Sequence, residues 1–437
     1  MKKNSIEIFE HETLFVASSK DELYNEEGNR VKISLKEFND LQSYHSRISS
    51  DFFNLSNKKI KFKHYVGLLR VGNLNINILP KIDKDDVDTN KWHSILIQMI
   101  MFTKSFRYKK STMSMLKKTD VSILDLYIYE FYKEVEEILR QGLRKSYSFK
   151  DDNLSVVKGK ILFNKDVIEN AADKSKTFCR YQVYCPDNNL NYILKLAITS
   201  SLSMTNSMEL LDVGKKLLSR FPDIKKYPVN EQTFNKMTFN RNNSYYREGI
   251  SLAKLIIQDT GLDLSNGEEN VVSFLFDMNQ LFEEFMYKIC KRAFKNENFK
   301  VHRTGTRFWE NKLIKPDIVI ENSENKDTVI FDTKWKVPQD AKPNDADLKQ
   351  IFVYNHYYES PVSYLLYPSN KDCKETEGLV IPGDFKNYNS NGKEFSNSCY
   401  LGFMPINTDG RLDVAGAQSR ICEMYEAAIM RKSKLNI

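Results

Sequence analysis

The chain has 437 residues, 41% of them hydrophobic and 12% aromatic, which is enough apolar material for at least two ordinary cores and excludes a disordered tail. Its longest apolar runs, Ile95 to Phe102 and Ile193 to Ile198, fall well short of the roughly 20 residues needed to span a membrane, so no membrane partner is expected. A net charge of +7 is modest for this length and by itself names no class of partner.

The first ten residues are charged and lack the apolar stretch of a signal peptide, which makes the cytoplasm the expected compartment. The first 90 residues read as β-rich. Tyr65 to Val71 and Leu74 to Leu79 are two short extended runs around Gly72-Asn73, and Leu74, Ile76 and Ile78 alternate with Asn75 and Asn77 as in a half-buried hairpin strand. Pro80, without an amide to donate, should end the second strand, and the acidic Asp83 to Asp88 should form an exposed loop.

From Lys91 to about Phe149 the pattern is helical, with Ile123, Leu126, Tyr127, Phe131, Val135, Ile138 and Leu139 near helical spacing and Arg140 and Arg144 in the last turns, where cations suit the helix dipole. Lys91 to Thr119 holds seven basic residues (Lys91, Lys104, Arg107, Lys109, Lys110, Lys117, Lys118) and no acidic one, a pattern that suits a polyanion or a plain solvated face. Asn189 to Leu202 and Gly249 to Ile257 read as further helices, and Gly261, Asn266 and Gly267 place a boundary within Asp259 to Glu269.

Beyond Val271 the expected order is helix, strand, strand, helix, strand. Asp277 is the N-cap of an amphipathic helix through Ile289, Ile314 to Ile320 and Val329 to Lys336 are strands, Asp347 to Tyr358 is a helix and Val362 to Tyr367 a strand. The expected architecture is α+β and multidomain: a β-rich domain at 1–90, a mainly helical linker domain at 91–265 and an α/β domain at 266–437. Six cysteines without a C-x-x-C pair point to neither a zinc ribbon, a disulfide framework nor an iron–sulfur cluster.

The residues that suggest chemistry are Pro316-Asp317 and Asp332-Thr333-Lys334. Alternation along a strand puts Asp332 and Lys334 on one face, with Asp317 beside them if the two strands pair. Converging carboxylates repel unless a cation lies between them, and Mg²⁺ takes oxygen ligands. Such an ion would polarise a scissile phosphate, with Lys334 orienting the attacking water or neutralising developing charge. Asp332 follows Val329-Ile330-Phe331, a run that should be buried, where an unpaired charge is expensive. The other Pro-Asp pairs, at Pro186 and Pro222, have no comparable strand after them.

Lys315-Pro316-Asp317-Ile318-Val319 and Ile330-Phe331-Asp332-Thr333-Lys334-Trp335-Lys336 resemble the nuclease core of the McrC family, the cleavage subunit of McrBC modification-dependent restriction systems. Val66-Gly67-Leu68-Leu69-Arg70-Val71-Gly72, Ile78-Leu79-Pro80-Lys81-Ile82, Asp187-Asn188-Asn189-Leu190-Asn191 and Asn279-Gln280-Leu281-Phe282-Glu283-Glu284-Phe285 are similar to that family as well. The resemblance implies a C-terminal PD-(D/E)XK restriction-endonuclease-like domain with Asp317, Asp332 and a helix acid as metal ligands. Glu283 is the chosen acid and Glu284 its competitor. It also implies Mg²⁺ as cofactor, with Mn²⁺ as the alternative, and a site or backbone contact for Gln350, while Tyr354 one turn on should pack. It implies a methylated double-stranded DNA substrate, a McrB-like AAA+ GTPase partner docking on the β-rich N-terminal part, with Arg70 and Gly72-Asn73 as contact points, and a larger oligomeric complex. No G-x-x-x-x-G-K-[ST] occurs, so the motor is expected on another chain. The competing expectation is a non-cutting activator subunit of that GTPase.

Overall fold

The alternation in Leu74–Leu79 becomes a strand in the structure, a computed structural model, with Leu74, Ile76 and Ile78 wholly buried and Asn75 and Asn77 half-exposed. The structure describes residues 5–47, 52–72, 74–82, 88–103, 123–205, 207–259, 271–336, 342–369, 380–385, 397–408 and 410–435. Residues 83–87 of the acidic stretch, 104–119 of the basic stretch, Asn73 and 260–269 of the expected boundary lie outside them. The chain divides into one unit comprising Met1–Leu69, Asn73–Thr119 and Leu275–Ile437, and another comprising Arg70–Gly72 and Asp120–Phe274. Sequence neighbours are therefore not always unit neighbours: the β-rich N-terminal segment and the C-terminal α/β segment share one unit.

Ser5–Phe9 runs parallel to Leu74–Leu79, and a four-stranded sheet continues through Tyr65–Val71 to Val271–Asp277. The last of these strands was not expected from the sequence. The Thr89–Thr103 helix buries Trp92, Ile95, Leu96, Ile97, Met99, Ile100 and Met101, nearly its whole circumference, and packs on the Met278–Ala293 helix. The solvent face of Thr89–Thr103 is narrow, limited to Asn90, Ser94 and Gln98, which leaves little amphipathic contrast in the sequence.

The C-terminal part of the first unit is a six-stranded sheet in the order Phe299–His302, Ile318–Asn322, Thr328–Thr333, Val362–Ser369, Ser398–Pro405, Val380–Ile381. Thr328–Thr333, Val362–Ser369 and Ser398–Pro405 are mutually parallel, and the flanking strands are antiparallel. Parallel strands need cover on both faces. Ile330, Leu365, Tyr367, Cys399 and Leu401 pack on Ile351 and Tyr354 of the Asp345–Tyr357 helix. Tyr364 faces the other way, its hydroxyl donating to the Met424 carbonyl of the Val414–Leu435 helix at 2.8 Å, and Trp335 meets Phe282 of the Met278–Ala293 helix edge to face. Asp277 caps that helix by accepting from the amides of Asn279 (2.9 Å) and Gln280 (3.3 Å).

The second unit carries the Ile123–Gln141 helix, as expected, but the helical run stops there. Gly142 has φ +97°, Arg144 lies past the helix, and Ser146–Leu154 is a strand paired antiparallel with Thr177–Cys185. Alternating Tyr147 and Phe149 with serines favours a strand over a helix. The segment expected to be mainly helical thus also carries a three-stranded sheet of Ser146–Leu154, Lys160–Ile161 and Thr177–Cys185, which the sequence reading did not name. Among the described residues the other α-helices of this unit are Phe163–Glu169, Asn189–Met204, Met208–Ser219, Glu231–Asn235 and Arg247–Asp259. Among the described residues no helix is long and apolar enough to cross a membrane.

Glu10, just past the first strand, is 1% exposed and accepts from the Lys81 amide (3.0 Å) and the Trp335 indole (2.7 Å). Burial pushes its carboxyl up to about 7 in spite of those bonds. The folded state holds this proton more tightly than the unfolded chain, so the Glu10 contribution is full below about pH 4.5 and is lost as pH rises through about 7. Glu10→Gln, which keeps an oxygen for the indole, should match the parent near pH 4.5 and exceed it by about 1–3 kcal/mol at pH 8 in urea unfolding; a pH-independent difference contradicts this.

Candidate active site

Asp332 sits in a strand whose preceding residues, Val329, Ile330 and Phe331, are all fully buried, and it is itself 1% exposed. It lies opposite Leu365 of the parallel neighbour, and the Lys334 amide continues that ladder by donating to the Leu366 carbonyl at 2.8 Å. Alternation keeps Asp332 and Lys334 on the face of the Asp345–Tyr357 helix, as the sequence predicts. Lys334 Nζ is 2.7 Å from Asp332 Oδ2. The contact is ionic rather than an aligned hydrogen bond, for that buried oxygen accepts none of good geometry. Burial pushes the Asp332 carboxyl well above the ordinary aspartate range and the Asp317 charge adds to it, with Lys334 opposing. Burial also works against the Lys334 ammonium, but the surrounding carboxylates of Asp332, Asp347 and Asp317 hold its proton affinity above the usual lysine value.

Asp317 immediately precedes Ile318–Asn322, which pairs antiparallel with Asp332's strand, Ile318 opposite Phe331. Its Oδ2 accepts from the Thr333 amide (2.8 Å) and hydroxyl (2.7 Å), which fixes the carboxylate against the outgoing strand. Thr333 was not singled out in the sequence; only its place between two charged residues hinted at a role.

The Asp345–Tyr357 helix, capped by the Asn344 side chain on the Ala346 amide at 3.0 Å, turns Asp347, Gln350 and Tyr354 inward. Lys334 Nζ donates to Gln350 Oε1 (3.2 Å), Gln350 Nε2 to the Tyr354 hydroxyl (2.6 Å), and that hydroxyl to the Lys315 carbonyl (3.1 Å). Tyr354 packs as expected and also closes this chain of bonds. Asp347, absent from the sequence-derived set, lies 3.5 Å from Lys334 Nζ and pairs with Lys336. Its signal was its spacing: three residues before Gln350 on a helix is the same face.

The acidic helix presents Glu283 and Glu284 differently. Glu284 forms an ion pair with Arg303 at 2.7 Å, whereas Glu283 lies 3.7 Å from that guanidinium. Burial raises the Glu283 carboxyl, and the charge of Asp317 raises it further. Arg303 also donates to the carbonyls of Glu283 (2.8 Å) and Asp317 (3.1 Å) and lies over the Tyr287 ring, so it fastens the helix to the start of the Asp317 strand. Nothing in the sequence marked Arg303. A cavity of about 550 Å³ opens along Glu283, Glu284, Arg303, Asp277 and Gln280.

Asp317, Asp332, Lys334 and Gln350 thus form one cluster, and Glu283 stands across from Asp317. Among the described residues no three histidine, cysteine, aspartate or glutamate side chains converge tightly enough to cage a metal. Two carboxylates do fit Mg²⁺, which keeps several waters and takes one or two protein carboxylates. A proton or a cation between the two would relieve their repulsion, and the buried Asp332 oxygen without an aligned donor is the atom left to take it.

Other segments singled out in the sequence are tied into the fold by hydrogen bonds. Asn191 is fully buried and donates to the carbonyls of Arg144 (2.9 Å) and Pro186 (2.6 Å), while Asn188 caps the Asn189–Met204 helix. Arg70 spends its guanidinium on the carbonyls of Gly72 and Met204.

The family model described as "McrBC 5-methylcytosine restriction system component" matches residues 60–368. The chain is 26% identical over 182 residues to the Type IV methyl-directed restriction enzyme EcoKMcrBC of Escherichia coli (strain K12), covering 40% of this chain and 52% of the relative, so it spans about half the length of that curated protein. Its fold is similar to a chain in the refined half-complex from the tetradecameric assembly of Thermococcus gammatolerans McrB AAA+ hexamers with bound McrC, with TM-score 0.64 and 19% identity over 96% of this chain and 100% of that one. With the family match running from residue 60 through the Asp317–Asp332 cluster to residue 368, well over half of the chain, the chain belongs to the family of McrBC 5-methylcytosine restriction system components.

Proposed function

We propose that this chain is the cutting subunit of a McrBC-like complex and hydrolyses phosphodiester bonds of methylated double-stranded DNA at a PD-(D/E)XK site. The observation that carries the reading is the Asp332 carboxylate, buried beside Asp317 and paired to Lys334 at 2.7 Å. A purely structural strand gains nothing from two adjoining carboxylates in an apolar sheet, whereas charge-shifted clusters are typical of functional sites.

Asp317 and Asp332 would hold Mg²⁺, or Mn²⁺ in its place, with Glu283 as the third acid. When bound, such an ion supplies Lewis acidity and offsets the negative charge of the phosphate. Lys334 would orient an attacking water or neutralise charge on the phosphoryl oxygens, with its ammonium steadied by the hydrogen bond to Gln350 and by the Asp347 carboxylate. Thr333 holds Asp317 still through two hydrogen bonds. The likeness of fold to a chain from an assembly of McrB AAA+ hexamers with bound McrC supports a separate AAA+ GTPase as partner and a larger oligomer as the working form.

Asp332→Asn and Asp317→Asn should each lower metal-dependent cleavage of methylated duplex DNA by at least roughly a hundredfold, the loss of several kcal/mol of charge stabilisation, in assays with the partner and GTP. GTP hydrolysis by the partner should stay at its parental level; a folded variant that cleaves normally contradicts the assignment. The helix acid is settled by a second pair. Glu283→Gln should cost roughly tenfold to a hundredfold in cleavage or metal affinity, while Glu284→Gln, which loses only an ion pair with Arg303, stays close to the parent. The reverse order assigns the role to Glu284.

A further inference from the structure

Residues 303–315, the run leading into Pro316-Asp317, hold a feature that the cleavage chemistry does not use. Thr306–Trp309 and Lys312–Ile314 form an antiparallel ribbon turning at Glu310 and Asn311, with Glu310 at φ +46°. Its register shifts between Arg307 and Trp309, so Phe308 is an extra residue on that strand. The base is anchored: Ile314 is buried, the Thr306 hydroxyl bonds Tyr358 Oη at 3.1 Å, and Tyr358 Oη donates to the Thr304 carbonyl at 2.8 Å. The tip is open. Phe308 is 51% exposed, Trp309 62% and Leu313 60%, with the Phe308 ring meeting the edge of the exposed Tyr357 at 5.5 Å.

Single exposed apolar residues need no account, but aromatic side chains gathered on one short ribbon do. Arg307 and Lys312 are exposed on the same ribbon, and among the described residues no ion pair holds either. Lys315 is exposed as well, two residues before Asp317. Cations in line with aromatic faces match a nucleic acid, whose phosphates take the charge while its bases or groove walls take the rings. An apolar protein partner would leave these cations without counter-charges.

We propose that the Thr306–Ile314 ribbon grips duplex DNA beside the cut, Arg307 and Lys312 contacting phosphates across a minor groove while Trp309 wedges against the base pairs. This rests on the nuclease reading and deepens it, since Lys315-Pro316 links the grip directly to the Asp317 carboxylate. The grip sets where the backbone lies relative to Asp317 and Asp332, and it does so without reading sequence, because phosphates and groove walls are common to all base pairs.

Trp309 offers a direct readout. Of the three tryptophans, Trp92 is fully buried and Trp335 is 8% exposed, so Trp309 is the one open to direct contact with a duplex. Duplex DNA titrated into the full chain in EDTA, at low salt, should quench tryptophan emission, and Trp309→Phe should abolish that response. Trp309→Ala should weaken binding about tenfold, within the range for one lost aromatic contact to a base. Arg307→Gln with Lys312→Gln should reduce the slope of log affinity against log salt by about 2. Unchanged emission, affinity and salt slope overturn the proposal, and so does a ribbon variant that binds DNA normally but no longer associates with its protein partner. The nuclease reading fails separately: a ribbon that grips DNA in a chain without metal-dependent cleavage supports the grip and removes the chemistry, while cleavage unaltered in every ribbon variant removes the grip alone.

Discussion

The Asp332 carboxylate lies in a strand covered on both faces, and the Lys334 ammonium 2.7 Å away is the main charge that offsets it. A buried pair of this kind is rarely a net source of stability, because desolvation consumes most of the Coulombic gain. Here the cost is compounded by Asp317, held nearby through Thr333. Much of the surrounding architecture manages that charge. Gln350 and Asp347 bind the same ammonium, Tyr354 ties Gln350 to the Lys315 carbonyl, and Arg303 locks the acidic helix to the backbone of Asp317. Hydrogen bonds and ion pairs hold the cluster from several sides, and one buried carboxylate oxygen is left short of a well-aligned donor.

The same strand end carries a second constraint on its opposite face. Trp335, the residue after Lys334, packs on Phe282 of the acidic helix and donates to the buried Glu10 at the end of the first strand. The N-terminal strands and the candidate nuclease strands therefore belong to one unit for a local reason: an indole needs a buried acceptor, and the chain's first strand provides it. The position of Lys334 is set from both faces of the sheet, by the Asp345–Tyr357 helix on one and by the N-terminal segment on the other.

Local pattern made several elements legible. The strand at Tyr65–Val71 follows from a short apolar run bounded by a glycine turn, that at Leu74–Leu79 from period-two alternation, and the Asp277 cap from short-range capping. The shared face of Asp332 and Lys334 follows from alternation alone. What escaped is what depends on remote partners. Val271–Asp277 is a strand because the N-terminal sheet receives it, Ser146–Leu154 because Thr177–Cys185 pairs with it, and neither partner is adjacent in sequence. Arg303 joins the cluster through the geometry of a strand end, and an isolated arginine in a charged sequence carries no mark of that, whereas Asp347 could have been found from its helical spacing to Gln350. Glu283 and Glu284 were inseparable in the sequence because adjacent helical positions both border the apolar stripe; their different distances to Arg303 distinguish them.

The central claim is that Asp317 and Asp332 form a divalent-cation site. Anomalous scattering from a crystal of the full chain equilibrated with Mn²⁺ tests it without reference to activity, partner or DNA. The account predicts a Mn²⁺ peak within coordination distance of carboxylate oxygens from both Asp317 and Asp332, absent in Asp332→Asn. A well-ordered cluster with no peak there, or a peak elsewhere in the chain with Lys334 still seated on Asp332, contradicts it.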